Sequence, residues 1–164
     1  MSSEGIRVVG FDPRWRGEFA AFNIEWLQRW FVVEAYDREV LENPEAHILA
    51  NGGHVLFAID AGGNALGTVA LKHEGGRVYE LTKMAVAPDA RGRGIGRLLM
   101  DAALDLYRSL DGRELFLESS SKLAPALALY ESVGFRHHPA PRAGSHYARA
   151  DVHMIWEPGA AELA

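Results

Sequence analysis

The segment 86–97, VAPDARGRGIGR, constrains the fold of this chain more than any other stretch. An apolar run ends at Pro88, glycines alternate with arginines, and a long amphipathic pattern begins at Ile95. Glycine reaches backbone conformations that side chains forbid, so neighbouring N–H groups can converge on one point. A helix that begins there adds unpaired N–H groups and the positive end of its dipole. The segment therefore predicts a strand–turn–helix unit whose turn can bind a phosphate or pyrophosphate.

Two familiar phosphate motifs do not fit this turn. The dinucleotide fingerprint needs a third glycine where Arg97 stands, and a P-loop needs a lysine that follows none of these glycines. A tight connection without a ligand remains open. Arg91, Arg93 and Arg97 are either a solvated charge run or phosphate ligands, and their interleaving with glycines favours phosphate.

Hydrophobic periodicity predicts both strands and helices along the chain. The pattern indicates a mixed α/β (α+β) fold: a central twisted mixed sheet, largely antiparallel in its N-terminal half, with helices on both faces. Predicted helices cover residues 14–31, 37–41, 95–110 and 123–133. Predicted strands cover 6–9, 54–60, 66–73, 78–86, 113–118 and 146–156.

Composition excludes several classes of function. The 164 residues fit one domain, 1–164, and the 48% hydrophobic and 24% charged content is that of an ordinary globular protein. No apolar run is long enough to span a membrane and no signal peptide is evident, so a cytoplasmic protein without a membrane partner is expected. The net charge of −5 disfavours nucleic-acid binding. Without cysteine, the chain offers no thiolate metal site and no cysteine nucleophile.

Two motifs follow each other along the chain. The first is R-x-x-G-x-G over residues 91–96, at the end of a predicted strand. The second is A-x-x-L-Y-E-x-x-G-F over residues 126–135, where the sequence is ALALYESVGF. Together, in this order, they resemble the motifs of the GNAT superfamily of N-acetyltransferases. The resemblance extends from about Val55 to the C-terminus. It implies a sheet that is splayed open where acetyl-CoA enters, with no metal cofactor.

The resemblance also implies how acetyl-CoA is held. The backbone of residues 84–86 would pair with the pantetheine arm like an added strand, and an amide of Met84 or Ala85 would stabilise the oxyanion. The turn would take the pyrophosphate. Similar sequences often carry asparagine at the position of Ser120, whose shorter side chain can donate one hydrogen bond. The implied cofactor-binding residues are Met84, Ala85, Val86, Arg91, Gly92, Arg93, Gly94, Ile95, Gly96, Arg97, Ser120, Leu123 and Ala126.

Glu80 is the candidate general base. An alkyl ammonium with a pKa near ~10 must lose a proton before it can attack a thioester. Alternation along the strand predicts that Glu80, Thr82, Met84 and Val86 share one face. The alternative is a structural ion pair between Glu80 and Lys72 on the neighbouring strand. The resemblance favours the base, although an acceptor that arrives neutral would need none.

Tyr130 is the candidate general acid. A departing thiolate, whose thiol has a pKa of roughly 8.5, leaves more easily when an acid supplies a proton. Periodicity alone places Tyr130 on the apolar face of its helix, which is equally compatible with a core tyrosine. Its catalytic role is implied by the resemblance.

The acceptor site is the least determined part of the sequence. The resemblance places the aromatic N-terminal region over the acceptor, although most of its aromatic side chains are expected to pack the helix onto the sheet. Tyr36 and Asp37, just past the helical stripe, are the candidates for facing substrate. His146 and Tyr147 would border the same pocket. A metal site built from the C-terminal histidines is disfavoured, because their spacing matches no familiar ligand interval.

These observations lead to one main hypothesis and two alternatives. The main one is an acetyl-CoA-dependent N-acetyltransferase that acts on the amine of a small molecule or peptide by direct transfer in a ternary complex. An idle CoA-binding sensor of the same fold is the first alternative. A phosphotransferase is the second, with only Asp89 near enough to hold its metal. The sequence names neither the acceptor nor the oligomeric state, and a homodimer remains open.

Overall fold

One mixed sheet organises the part of the chain that the computed structural model describes, namely residues 5–139, 145 and 149–159. The strands are β1 (Arg7–Gly10), β2 (His54–Ile59), β3 (Ala65–His73), β4 (Val78–Val86), β5 (Glu114–Ser119), β6 (Phe135–His137) and β7 (Val152–Trp156). The helices are α1 (Arg16–Trp30), α2 (Ala35–Glu42), α3 (Pro44–His47), α4 (Ile95–Ser109) and α5 (Ala124–Ser132).

The strand order is β1-β2-β3-β4-β5-β7-β6. Strands β1 to β4 form an antiparallel meander, β4 and β5 are parallel, and β7 is antiparallel to both β5 and β6. The parallel pair requires a crossover, which α4 supplies. The predicted mixed sheet with an antiparallel N-terminal half is confirmed.

Two hydrophobic cores cover the two faces of the sheet. On one face, the α4 side chains Leu99 and Met100 pack in a core with Val69 and Leu71 of β3. On the other face, Phe19 of α1 belongs to the second core. Helices therefore flank both faces, as predicted. No helix in the described part of the chain combines the length and apolar composition needed to cross a membrane.

The structure differs from the predicted elements mainly near the C-terminus. The last strand covers only 152–156, since 149–151 are not in a strand and 146–148 lie outside the described residues. Strand β6 was not predicted. Two of its three residues, Arg136 and His137, are exposed, so it shows no hydrophobic alternation. The short helix α3 was also missed.

A β-bulge interrupts β4 and opens the sheet. Lys83 adopts a left-handed φ of 56°, and two residues of β4 stand opposite one residue of β3 between Thr82 and Ala85. The predicted common face of Glu80, Thr82, Met84 and Val86 is therefore wrong beyond Thr82. Met84 and Val86 pack against the core that contains Leu81, because the inserted residue reverses the alternation.

The parallel pairing between β4 and β5 is short. It joins Val78–Glu80 to Glu114–Phe116 and ends there. Beyond Glu80 the two strands separate, so the edge of β4 that faces β5 keeps main-chain N–H and C=O groups outside the ladder. The separation forms a cleft in the middle of the sheet.

Candidate active site

The turn between β4 and α4 forms a main-chain cradle, defined here as residues 91–97. Gly92 and Gly94 have φ values of 80° and 76°, and a Cβ added to either would meet no atom within 4 Å. These glycines are required by backbone conformation and not by close packing. Gly94 caps α4 without a side-chain hydrogen bond, and the Leu98 N–H is bonded to the Gly94 carbonyl at 3.1 Å. The N–H groups of the first turn, residues 95–97, are thus left for an anion.

The three arginines of the cradle diverge. Arg91 forms an ion pair with Glu25 of α1 at 2.6 Å. Arg97 pairs with Asp101 at 3.3 Å along the exposed side of α4. The Nε of Arg93 is buried and has no hydrogen-bond partner among the described residues. The cradle therefore relies on main-chain N–H groups first, because two of its three arginines are paired with carboxylates of α1 and α4.

An open cleft lies where β4 and β5 separate, bounded by α1 and α5. Five of the predicted site residues line it: Glu80, Met84, Ser120, Leu123 and Tyr130. Ala85, Val86, Ala126 and Tyr36 are not among its lining residues, nor are the residues of the cradle.

Glu80 is a buried carboxylate that faces this cleft with 7% of its surface exposed. Within the described residues it makes no hydrogen bond or ion pair. Burial, reinforced by the negative charge of Glu118, raises the pKa of Glu80 to about 7, while Lys83 opposes the rise. A carboxyl group in this state exchanges a proton near neutral pH.

The predicted structural pair between Glu80 and Lys72 is not formed. The two residues are opposite each other in the β3–β4 ladder. The Lys72 ammonium nevertheless donates to the Tyr36 hydroxyl at 3.0 Å and pairs with Glu74 at 3.2 Å. The ammonium of Lys72 is therefore bonded to groups other than Glu80, and the Tyr36 hydroxyl is used as its hydrogen-bond acceptor.

A buried ion network stands behind the cleft and joins Asp37 to Lys83 and Arg149, two residues that the sequence did not single out. Asp37 is fully buried and accepts hydrogen bonds from Arg149 at 2.9 Å, from Lys83 at 3.4 Å and from the Glu34 N–H at 2.9 Å. Burial alone would raise the pKa of Asp37, but these partners hold it below its usual value. Burial lowers the pKa of Lys83, which Asp37 opposes. The expectation that Asp37 faces substrate is wrong, because its carboxylate is consumed by this network.

Tyr130 lines the cleft from α5. Its ring packs edge-on against Phe135, with centroids 6.2 Å apart, and burial raises the pKa of its hydroxyl to about 12. The hydroxyl makes no hydrogen bond to the described residues. The ring thus has the packing of a core tyrosine, while the hydroxyl keeps its proton available to the cleft.

Ser120 lies buried at the end of β5 and organises the start of α5. Its hydroxyl oxygen accepts the Lys122 N–H at 3.2 Å, and its carbonyl accepts the Leu123 N–H at 3.0 Å. Its O–H remains a possible donor toward the cleft, since accepting one bond does not use its proton.

Several of the remaining lining residues of the cleft are aromatic or charged. Trp26 and Phe31 line it, whereas Trp30 lies outside with 43% of its surface exposed. Glu118, Lys83 and Arg149 also line it and were not predicted. The position of Lys83 in a strand otherwise rich in apolar residues could have marked it as a candidate site residue. No feature of the sequence marked Arg149 in this way.

Two expected acceptor residues, His146 and Tyr147, lie outside the described residues. In the part of the chain that is described, no three histidine or acidic side chains are grouped so as to hold a metal ion.

Comparison with known proteins agrees with this architecture. Residues 20–135 match the model of the acetyltransferase (GNAT) family. A solved GNAT acetyltransferase from Staphylococcus aureus Mu50 superimposes with a TM-score of 0.81 at 22% identity, over 92% of this chain and 97% of that one. Spermidine N-acetyltransferase from Vibrio cholerae, solved with CoA and spermine, superimposes with a TM-score of 0.71 at 20% identity, over 98% of this chain and 99% of that one.

Curated sequences point the same way. An uncharacterised N-acetyltransferase of Schizosaccharomyces pombe is 33% identical over 79% of this chain and 85% of its own length. A mycothiol acetyltransferase of Clavibacter michiganensis is 44% identical, but the match spans 50% of this chain and only 26% of that protein. With most of its length matched by the family model and its fold shared with solved members, this chain belongs to the acetyltransferase (GNAT) family.

Proposed function

We propose that residues 1–164 act as one acetyl-CoA-dependent N-acetyltransferase domain that acetylates the amine of a small molecule or peptide. One observation carries the proposal: a buried, unpaired carboxylate and a tyrosine hydroxyl line the same cleft. The strand that holds this carboxylate continues through the glycine turn into a helix whose N-terminus has no side-chain cap. Relatives named as N-acetyltransferases and a neighbour solved with CoA and an amine support it.

The cradle fits the donor's pyrophosphate. Uncapped N–H groups of residues 95–97 and the positive end of α4 favour a doubly charged anion, and the open space above Gly92 and Gly94 leaves room for it. The edge of β4 beyond Glu80 offers main-chain groups to the amide-containing pantetheine arm. The bulge leaves the backbone of Lys83 and Met84 out of the β3 ladder, so an N–H there can meet the charge that develops on the carbonyl oxygen.

Glu80 serves as the general base in this proposal. A base works best when its pKa lies near the working pH, and the pKa of Glu80 is raised to about 7. It takes the proton of the ammonium directly or through one water, and the freed amine then attacks the thioester carbonyl. The new C–N bond forms first, and the C–S bond breaks as the resulting oxyanion adduct collapses. The attacking nitrogen loses its second proton to the tyrosinate that remains once Tyr130 has protonated the departing sulfur, and Glu80 returns its own proton to water.

Tyr130 serves as the general acid. Its pKa of about 12 keeps the hydroxyl protonated at neutral pH, so a proton is always present for the departing sulfur. Transfer is direct, because the chain has no cysteine to carry an acyl group.

The test measures thiol release from acetyl-CoA over a panel of amines. We expect Glu80→Gln and Tyr130→Phe each to lower kcat by about 100-fold, the low end of general acid–base contributions. Their affinity for CoA should stay within about threefold of the original, since neither residue belongs to the cradle. Glu42→Gln on the outer side of α2 and Tyr107→Phe in the α4 core are the matched controls and should keep full activity.

Two outcomes would contradict the assignments. Unchanged rates in both variants would remove Glu80 and Tyr130 from catalysis. Tight CoA binding without turnover on any amine would instead favour the idle sensor.

A further inference from the structure

The cations that line the cleft already have carboxylate partners outside it, whereas the carboxylates that line it have no cationic partner in the described part of the chain. Two cations and two carboxylates line it: Lys83, Arg149, Glu80 and Glu118. Lys83 pairs with Asp37, and Arg149 pairs with Asp37 and with Glu34 at 3.1 Å. Neither Asp37 nor Glu34 lines the cleft, so the two cations are neutralised from behind its wall.

Glu80 and Glu118 have no such partners. Neither carboxylate makes a hydrogen bond or ion pair within the described residues. Glu80 is more than nine-tenths buried and still lines the cleft. An ionised carboxylate buried without a partner is costly, so a site that keeps one gains from a cationic ligand.

The strand register places these two carboxylates on the same face of the sheet. Glu80 is opposite Phe116 in the parallel β4–β5 pair, and Glu118 lies two residues further along β5. Residues two apart on a strand share a face, so Glu118 lies on the face of Phe116 and of Glu80. The two carboxylates thus line one cleft from neighbouring strands, close enough that the charge of Glu118 raises the pKa of Glu80.

The walls beside the carboxylates are apolar. Trp26, Leu27 and Phe31 of α1 and the following loop line the same cleft. Methylene groups can pack against such walls while cationic ends reach the carboxylates.

We infer that the acceptor is an alkyl diamine, or an alkyl amine with another cationic group. This inference rests on the proposed function. The reacting ammonium meets Glu80, which takes its proton. The second cation is held by Glu118, which acts as a specificity-determining residue and does not take part in the proton transfer.

The experiment compares three acceptors of equal length: butanediamine, butylamine and γ-aminobutyrate. Rates are measured at about pH 8, where a carboxyl of pKa about 7 is ionised and unperturbed imidazoles are neutral. We expect kcat/KM for the diamine to exceed that for the monoamine by about tenfold, the effect of one charge-assisted contact, with most of the difference in KM. The anionic γ-aminobutyrate should be the poorest acceptor.

Glu118→Gln tests the assigned residue. It should lower kcat/KM for butanediamine about tenfold, because the second cation loses its partner. The value of kcat/KM for butylamine, which has no second cation, should change by less than about threefold. Glu42→Gln removes the same charge at a distance and should leave the diamine preference intact.

The outcomes separate this inference from the proposed function. Equal rates with diamine and monoamine, or equal losses on all three acceptors in Glu118→Gln, would overturn the diamine assignment while leaving an active acetyltransferase. Failure to acetylate any amine, in this panel or the broader one, would overturn both.

Discussion

The two ends of the proposed site would recognise their ligands by different means. The cradle is a single run of residues, 91–97, whose binding groups are main-chain N–H groups held by two glycines of positive φ. The proposed acceptor end is the cleft, which is assembled from side chains of α1, β4, β5 and the segment before β7, with a buried ion network behind it.

This difference determines what each end tolerates. Main-chain recognition is indifferent to most side chains but fails when the backbone cannot adopt its φ and ψ values. Side-chain recognition tolerates small backbone shifts but fails when a charge is removed from a buried network. Substitutions at the two ends should therefore break different properties of the molecule.

The largest expected effect is on stability, at the network behind the acceptor end. Asp37→Ala leaves Lys83 and Arg149 facing each other without their shared carboxylate. Removing one partner of a buried ion pair typically costs about 3–5 kcal/mol of the free energy of unfolding. Chemical denaturation monitored by circular dichroism measures this loss.

The matched control is Asp105→Ala on the outer side of α4. Asp105 also pairs with an arginine, Arg108, at 2.9 Å, but its side chain is 79% exposed. An exposed pair of this kind should change stability by less than about 1 kcal/mol. Equal losses in the free energy of unfolding for the two variants would contradict the prediction that the buried network stabilises the fold more than an exposed ion pair does.

The second effect is the pH dependence of stability caused by Glu80. Between its ordinary pKa of 4.5 and its folded value of about 7, the folded protein holds a proton that the unfolded chain releases. The free energy of unfolding therefore falls as pH rises through this window. A rise of this size in the pKa corresponds to about 3 kcal/mol when the change is complete.

Glu80→Gln removes this proton and with it the effect. The variant should match the original protein near pH 4.5 and become more stable than it above about pH 7, by up to about 3 kcal/mol. Denaturant titrations across this range measure the divergence. Parallel curves for the two proteins would show that Glu80 titrates at its ordinary value.

The sequence was most informative where the site is local. The cradle could be predicted from residues 86–97 because the glycines, the helix start and the strand end are adjacent in the chain. The alternation of side chains along β4 was mispredicted beyond Lys83. This residue has a left-handed φ, which lysine rarely adopts and which no local sequence signal indicates.

The charge pairing at the acceptor end was beyond sequence reasoning. Lys72 is opposite Glu80, as strand pairing predicts, yet its ammonium reaches Tyr36 and Glu74. Asp37, Lys83 and Arg149 are separated by dozens of residues and meet only when α2, the bulge and the segment before β7 are packed together. Such contacts depend on tertiary geometry, so no pattern of residue spacing in the sequence indicates them.

A third prediction concerns the backbone of the cradle. Gly94→Val places a β-branched side chain at a φ of 76°, a conformation that valine strongly avoids. The first turn of α4 must then reorient, and affinity for CoA should fall by about 100-fold, or about 2.7 kcal/mol. Isothermal titration calorimetry measures the loss.

Gly75→Val separates strain from binding. Gly75 also has a positive φ, 99°, with no atom within 4 Å of an added Cβ, but it lies in the turn before β4, at the opposite end of that strand. This variant should lose comparable stability and keep its affinity for CoA. Equal affinity losses in both variants would mean that the cradle is not where CoA is held.

The smallest expected effect is a displacement of the pH–rate profile. With butylamine as acceptor, the acid limb of kcat/KM reports the pKa of the base in the free enzyme. The charge of Glu118 raises the pKa of Glu80 and that of Lys83 lowers it. Glu118→Gln should therefore move the limb to lower pH, and Lys83→Met should move it to higher pH.

The opposite signs make this comparison decisive. A general loss of structure would lower rates at every pH, whereas a change in the field at Glu80 moves the midpoint of the limb in a direction set by the charge removed. Glu42→Gln, which is remote from the cleft, should leave the midpoint in place. Displacements of the same sign in the Glu118 and Lys83 variants would assign the limb to a group other than Glu80.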